Sequence, residues 1–397
     1  MIHSTSSHPE PVLSGFGHTR FGRLDDSTLE SLLRDAGKLA LDDAGIAAAD
    51  IDMLVIGTYN HGFVAQGFAA GLSGLLDEGF RYKPSFHVES ACATGSAAVH
   101  LAAQAIQAGE ASTVLVVGAE RMTHLSAKQA GDVLLSASYV ADREAEVEGG
   151  FAGAFAAITE RYAARFGDPL LACAMVASKN HHNGCANPYA QLRRPLDIDF
   201  CATVSPQNPI VVGRVRRTDC SPISDGAAAL VMTRRELVPA GKASVRFRAR
   251  AHVTDLMPIA RRDMSRLEGC AMAWKQAFDR AGVSLSDLDL VETHDCFTIA
   301  ELMQYEAMGL TAPGEGIRAL QEGWVYRDGK LPVNVSGGLK SKGHPIGATG
   351  ISMHVMASLQ LLRRAGDMQL ARPEIAGVFN MGGMGVSNYV SILERAQ

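Results

Sequence analysis

Apolar residues along this chain follow two rhythms. Stretches such as "MLVIG" (53–57) and "LDLVE" (288–292) are apolar at nearly every position, as strands buried on both faces of a parallel sheet should be. Each follows a helix-length segment closed by Ala-Gly, where the glycine suits the left-handed position after a helix C-terminus. "ALDDAGIAAADIDMLVIGTYN", starting at Ala40, and "AFDRAGVSLSDLDLVETHDCF", starting at Ala277, carry both rhythms in the same order. Gly45 matches Gly282, and Asp50 and Asp52 match Asp287 and Asp289, all at one offset (282 − 45 = 237). A looser pair, "GSAAVHLAAQAIQAGEASTVLVVGAE" and "GATGISMHVMASLQLLRRAG…EIAGVFNMGG", repeats helix, Ala-Gly and strand. Two copies of a βα unit predict an internally duplicated α/β fold with two like halves, and equivalent strand ends on the side where ligands bind.

The pattern changes between about 119 and 218, where short helices mix with loop-rich segments, and a regular strand resumes at "DGAAALVMTRRE". The expected division is therefore an N-terminal half of 1–118 plus 219–250, an inserted loop subdomain at 119–218, and a C-terminal half at 251–397. The insertion reads as a lid or substrate-shaping element.

Composition narrows the function classes. With 397 residues, 47% hydrophobic, 20% charged and mean hydropathy +0.05, the chain reads as a soluble globular protein with a large interior. A net charge of −5 and scattered Lys and Arg give no support to nucleic-acid binding. Seven irregularly spaced cysteines without a C-x-x-C argue against a disulfide framework or a structural zinc site. No apolar stretch reaches membrane-spanning length, and "MIHSTSSHPEPVLSG" has neither a basic nor an apolar leader region. "LERAQ" carries no peroxisomal address. The expected setting is a reducing compartment, the cytoplasm.

Four stretches just beyond predicted strands carry candidate chemistry. In "FHVESACATGSAAVHLAAQAI" (86–106), Cys92 precedes small residues that let a helix start sit deep against neighbouring backbone. A thiol there would feel the positive end of the helix dipole and have a lowered pKa. The alternative is a buried cysteine in a tight helix–sheet contact. "VETHDCFTIAELM" offers His294 and Cys296, "NVSGGLKSKGHPIGATGISMH" holds His344 between Gly343 and Pro345, and "GVFNMGGMGVSNY" sets Asn380 beside Gly382. Singly these read as an N-cap pair, a satisfied loop histidine and a hairpin. Together, a thiol, a rigidly held histidine, a second thiol and free backbone N–H groups are what acyl transfer to carbon needs.

These segments, in this order, resemble the thiolase superfamily from about Leu13 to the C-terminus. "SACATGSAA" looks like the nucleophile motif and "GHPIGATG" like the Gly-His-Pro motif. "HDCF" and "KNHHNGCANPYAQ" are similar to the sterol-carrier-protein-2 type. The resemblance implies two duplicated βαβαβαββ halves in a five-layered αβαβα core. It implies Cys92 as acyl acceptor and His344 as its activator, with His344 and His294 holding the thioester oxygen of the second acyl-CoA. The N–H groups of Cys92 and Gly382 would form the other oxyanion hole. Ordinary members carry a second cysteine where this chain has "FNMGG", so Asn380 or Phe379 takes its place and the acid/base role falls on Cys296.

The expected activity is CoA-dependent acyl transfer: thiolytic cleavage of a 3-oxoacyl-CoA, or the reverse condensation. Coenzyme A would be a substrate, with no permanent cofactor and no metal. The implied partners are acyl-CoA and CoA, a homodimer or homotetramer, and a possible small accessory subunit. Arg214 and Arg216 in "RVRR", with Arg193, Arg194 and Arg217, are candidates for the CoA phosphates, although a solvated basic face reads equally well. A rival reading is a thiolase-fold lyase cleaving a bulky, steroid-like acyl-CoA by a retro-aldol step with a partner subunit. Such a step needs no acyl-cysteine and no free CoA. A fatty-acid or polyketide condensing enzyme is disfavoured by the Gly-His-Pro motif, and a non-catalytic binding module by the complete set of residues.

Overall fold

The computed structural model describes residues 8–59, 62–142 and 149–396. The readings of the leader and of the C-terminal address fall in part on residues 1–7 and 397, outside that range, as does 143–148 of the insertion.

The first half runs β1 (Pro11–His18), α1 (Leu29–Ala44), β2 (Met53–Gly57), α2 (Ser73–Leu76), β3 (Ser85–Val88), α3 (Thr94–Ala108) and β4 (Thr113–Glu120). The insertion carries α4 (Ala127–Leu134), α5 (Phe151–Phe166), α6 (Leu170–Cys185), α7 (Ile198–Ala202) and a two-stranded ribbon of β5 (Ile210–Val212) and β6 (Val215–Arg216). β7 (Gly226–Arg234) then completes the first half. The second half runs β8 (Ser244–Thr254), α8 (Glu268–Ala281), β9 (Leu290–Glu292), α9 (Thr298–Ala307), α10 (Gly316–Gln321), α11 (Gly338–Lys342), α12 (Ile346–Leu361), β10 (Ile375–Gly382) and β11 (Ser387–Ala396). Position 250, where the sequence reading divides the halves, lies inside β8.

Strand order is β3-β2-β4-β7-β1-β8-β11-β10-β9, which reads as one half followed by its mirror. The counterpart of β3 is a single bridge between Val291 and Val333, bounded by Pro332, which has no N–H to give, and Asn334, whose φ is 56°. Among the described residues, β1 and β8 join the halves edge to edge at Val12–Arg246 and Leu13–Val245. Helix α1 covers the outer face of β1 and β7, α8 covers β8 and β11, and α3 and α12 pack together between the two sets of strands. This is the expected αβαβα layering. Among the described residues no helix is long and apolar enough to cross a membrane.

The matched residues of the repeat do matched work. Gly45 and Gly282 end α1 and α8 with φ of 72° and 64°. Asp52 accepts N–H bonds from Ser112 and Thr113 at 2.8 and 2.9 Å, and Asp289 accepts them from Glu374 and Ile375 at 2.7 and 2.9 Å. In each half one aspartate thus fastens the start of the next central strand.

The small residues after Cys92 and His344 have a single cause. A Cβ on Gly95 would lie 2.6 Å from the Ile351 nitrogen, and one on Gly350 2.2 Å from the Ser96 nitrogen. A Cβ on Gly118 would lie 2.2 Å from the Gly347 carbonyl oxygen. Real Cβ atoms do not approach backbone so closely, so only glycine lets α3 and α12 cross in backbone contact. That crossing brings the start of one central helix beside the start of the other.

Candidate active site

Cys92 sits at the turn from β3 into α3. Ala91, just before it, has φ 48°, a left-handed conformation that costs a non-glycine residue of order 1 kcal/mol or more. The turn is held by the Thr94 hydroxyl, which accepts from the Ser90 N–H at 2.9 Å and donates to the Ala91 carbonyl at 2.6 Å. Across it lies Gly382, where a Cβ would come 2.3 Å from the Ser90 carbonyl oxygen. The main-chain N–H groups reaching the Cys92 sulfur are its own and that of Gly383, one residue beyond the expected Gly382.

The expected lowering of the Cys92 pKa does not occur. The side chain is 3% exposed, and burial pushes the thiol up to about 12, with the Gly383 N–H a partial offset. The helix start does not outweigh desolvation here, so the thiol needs a base.

His344 and His294 lie beside it. Nitrogens of both rings and the Cys92 sulfur fall within 4.8 Å of one another, and the two rings meet edge to face with centroids 5.2 Å apart. Their hydrogen bonds assign opposite tautomers. The Thr349 hydroxyl donates to the Pro345 carbonyl at 2.9 Å, so at 2.7 Å it accepts from His344 Nδ1–H, leaving a lone pair on His344 Nε2. Asn380 Nδ2 donates to the Cys92 carbonyl at 3.0 Å and to His294 Nδ1 at 2.9 Å, which puts the hydrogen of His294 on Nε2. Neither Nε2 has a protein partner. Burial, aided by the Lys342 cation, lowers His344 to about 3, and burial, aided by His344, holds His294 well below its ordinary value. Both rings rest neutral, one presenting an acceptor and the other a donor. A metal on this Cys-His-His set would need the hydrogen of His294 moved from Nε2 to Nδ1, where the Asn380 amide N–H now points.

Cys296 lines the same cavity. Burial, with Cys92 and Asp295 adding to it, raises its pKa well above the ordinary thiol value, so it rests protonated. The choice between Asn380 and Phe379 follows from strand alternation: Asn380 faces the site, whereas Phe379 stacks on Trp274 with centroids 6.1 Å apart.

The cavity has a volume of about 900 Å³. Much of its wall comes from the insertion, including Leu134, Phe151, Leu196 and Phe200. Phe155 of α5 packs on Phe297, with ring centroids 4.3 Å apart. Arg214 and Arg216 are not part of the lining. Arg214 pairs with Glu160 at 2.9 Å, and buried Arg216 is held by Asp219 at 2.8 Å and by the Leu170 carbonyl at 2.8 Å. The arginines that do line the cavity are Arg194 and Arg217, both exposed at its rim.

Other residues support the site without having stood out in the sequence. Ser224 accepts the His344 N–H at 3.0 Å. Glu120, pushed up to about 8 by burial, accepts N–H bonds from Tyr59 at 2.9 Å and Gly347 at 3.0 Å. Much of "KNHHNGCANPYAQ" braces the loop before His344. Asn183 bonds the Asn334 carbonyl, Asn187 the Ser336 carbonyl, and the Gln191 N–H the Lys342 carbonyl. Asp295 secures the same loop by accepting N–H bonds from Leu339 and Lys340.

Residues 12–236 match the family model described as "Thiolase, N-terminal domain", and 251–395 the model "Thiolase C-terminal domain-like". An acetyl-CoA acetyltransferase of Methanothermobacter thermautotrophicus is 34% identical over 96% of this chain and 98% of its own length. Sterol carrier protein 2 of Oryctolagus cuniculus is 31% identical over 94% of this chain and 70% of its own length. Among solved structures, the Ltp2-ChsH2(DUF35) aldolase superposes with TM-score 0.78 at 22% identity, covering 98% of each chain. Human mitochondrial 3-ketoacyl-CoA thiolase does so with TM-score 0.73 at 18% identity, covering 98% of this chain and 99% of its own. Those two likenesses speak to the fold alone. With both family models matched along most of its length, the chain belongs to the thiolase family.

Proposed function

We propose that this chain is a CoA-dependent acyltransferase that cleaves a 3-oxoacyl-CoA with free CoA, or runs the reverse condensation, through an acyl group on Cys92. The observation that carries this reading is the pair of opposed tautomers beside the buried thiol. His344 Nε2 takes the Cys92 proton as sulfur attacks the 3-oxo carbon. The oxyanion formed there meets the main-chain N–H groups at the turn, from Cys92 and from Gly382 or Gly383. The C2–C3 bond breaks, and its electron pair becomes the enolate of acetyl-CoA. Its thioester oxygen accepts from His294 Nε2–H and from the newly protonated His344. Cys296 gives its proton to C2, and acetyl-CoA leaves. Free CoA then returns a proton to Cys296 and attacks the acyl-Cys92 carbonyl. Cys92 leaves as thiolate and recovers its proton from His344, so the protein ends as it began.

Arg194 and Arg217 stand where phosphates of a CoA entering the cavity would pass. Coenzyme A is a substrate in this scheme, and no permanent cofactor takes part. Self-association into a dimer or tetramer, and a small accessory subunit, complete the reading; light scattering of the purified chain tests the first.

The test is incubation with acetoacetyl-CoA, comparing the natural chain with Cys92→Ser and Cys296→Ala. Cleavage that depends on CoA, an acyl adduct on Cys92 by intact mass, and failure of both variants are the expected results. Cleavage of a 3-hydroxyacyl-CoA without CoA would replace this reading with the lyase.

A further inference from the structure

Lys340 is a buried cation in the cavity wall without an ion-pair partner among the described residues, although the charges of Asp295 and Asp219 reach it from further off. Its side chain is 3% exposed and lines the same 900 Å³ space as Cys92 and Cys296. Its ammonium donates to the Cys220 carbonyl at 2.8 Å, and among the described residues no carboxylate lies within ion-pair reach of it. Asp295, which holds the same loop, is occupied by the N–H groups of Leu339 and Lys340 and by Asn180. Two other buried cations are paired, Lys179 at 2.9 Å from Glu301 and Arg216 at 2.8 Å from Asp219, whereas Lys342, unpaired among the described residues, does not line the cavity. Burial accordingly lowers the Lys340 pKa.

A second unpartnered group stands in the same wall. His181, 4% exposed, donates from Nδ1 to the Arg194 carbonyl at 3.0 Å, and its Nε2 has no partner. Burial, then the charge of Lys340, lowers this ring to about 3. An anion arriving at Lys340 would offset that repulsion and let His181 take up a proton, giving a second donor. The same cavity wall also carries apolar side chains, Ile223, Phe297 and Leu196 among them.

Leaving a buried charge unpaired is costly, and an anion that enters with the substrate removes that cost. The phosphates of CoA fit Lys340 less well, because Arg194 and Arg217 are exposed cations on the same lining whereas Lys340 is buried. We propose that Lys340, with His181, binds the terminal carboxylate of the acyl chain, so that the substrates are CoA thioesters of dicarboxylic acids. This rests on the acyltransferase reading for its place in a reaction but not for its binding test.

That test uses the Cys92→Ala protein, which cannot be acylated at this position, and calorimetric titration with adipyl-CoA against hexanoyl-CoA and suberyl-CoA against octanoyl-CoA. Binding about 10-fold to 100-fold tighter for the carboxylated member is expected at one chain length at least. Lys340→Met should reduce that ratio to about one. A preference for the neutral member at both lengths overturns the proposal. So does an equal loss of both affinities in Lys340→Met, which marks a structural role, or a loss of affinity for CoA itself, which assigns the cation to phosphate. A parallel assay of the natural chain with 3-oxoadipyl-CoA and 3-oxohexanoyl-CoA tests cleavage separately. Absence of turnover there rejects the acyltransferase reading and leaves the binding result standing.

Discussion

Two buried polar clusters flank the loop that leads to His344, and they are satisfied to opposite degrees. Around Glu301, Lys179 pairs at 2.9 Å, Asn180 and Asn334 donate at 2.6 and 2.7 Å, and Tyr305 donates as well. Asp295 beside it accepts two N–H groups and the Asn180 amide. Beside Cys92 the reverse holds, since the Nε2 atoms of His294 and His344 are buried and unpartnered. A saturated network fixes geometry, whereas a withheld hydrogen bond stores the capacity to bind something that appears only during a reaction. The first cluster makes the second possible, because Asp295 and Asn180 hold the loop that leads to His344.

The comparison can be broken first at the unsatisfied side. His344→Ala should reduce turnover by about 10⁴-fold or more, since base and oxyanion donor are lost together, with little change in melting temperature. Steady-state thiolysis and thermal melts on one preparation check both halves of that statement. Cys296→Ala should lower solvent-deuterium exchange at C2 of acetyl-CoA by about 10²- to 10⁴-fold, read by mass spectrometry. If exchange persists at the natural rate, Cys296 is not the carbon acid/base.

On the satisfied side the expected loss is in stability. Glu301→Ala strands the Lys179 charge and should cost about 3–5 kcal/mol, seen as a shift in denaturant midpoint, whereas Glu301→Gln keeps its acceptors and should cost less. An alanine variant as stable as the natural chain would mean that the network is not the brace described here.

A further effect, spread over several sites, is a pH slope set by buried histidines. His18, His181 and His344 are each lowered by burial from 6.5 to about 3. Between those values the unfolded chain binds more protons than the folded one, so stability rises with pH. Their contribution is full above about 6.5 and is lost progressively as pH falls towards 3. Melting temperatures at pH 7, 6 and 5 should fall in that order, and His344→Gln should flatten the slope.

Much of this organisation was legible before any coordinates. The offset of 237 predicted the duplication, and Asp52 and Asp289 repay it with the same bonds in each half. Cys92, His294, Cys296 and His344 come from motifs in which chemistry and backbone geometry coincide within a few residues. Legibility ended where a residue's setting depends on distant chain. The helix start before α3 promised a low thiol pKa, but the desolvation imposed by both halves decides it the other way. Arg214 gave no sign of being engaged because its partners Glu160 and Asp168 lie 54 and 46 positions away (214 − 160 = 54; 214 − 168 = 46). The partner of Arg216, Asp219, is only three residues on, and the burial of that pair is what the sequence did not show. Lys340 gave no signal, since a lysine's lack of a counter-ion is not a property of its sequence neighbours.

The seam at β1 and β8 has a kinetic consequence. Cys92 belongs to one half and His344, His294 and Cys296 to the other, while the hydrogen-bonded join between the sheets is two residue pairs long. The site is assembled only where α3 and α12 cross, so no chemistry exists until the halves have docked. Recovery of activity after dilution from denaturant should therefore lag behind recovery of helical signal, timing the docking of the halves as a late step of folding.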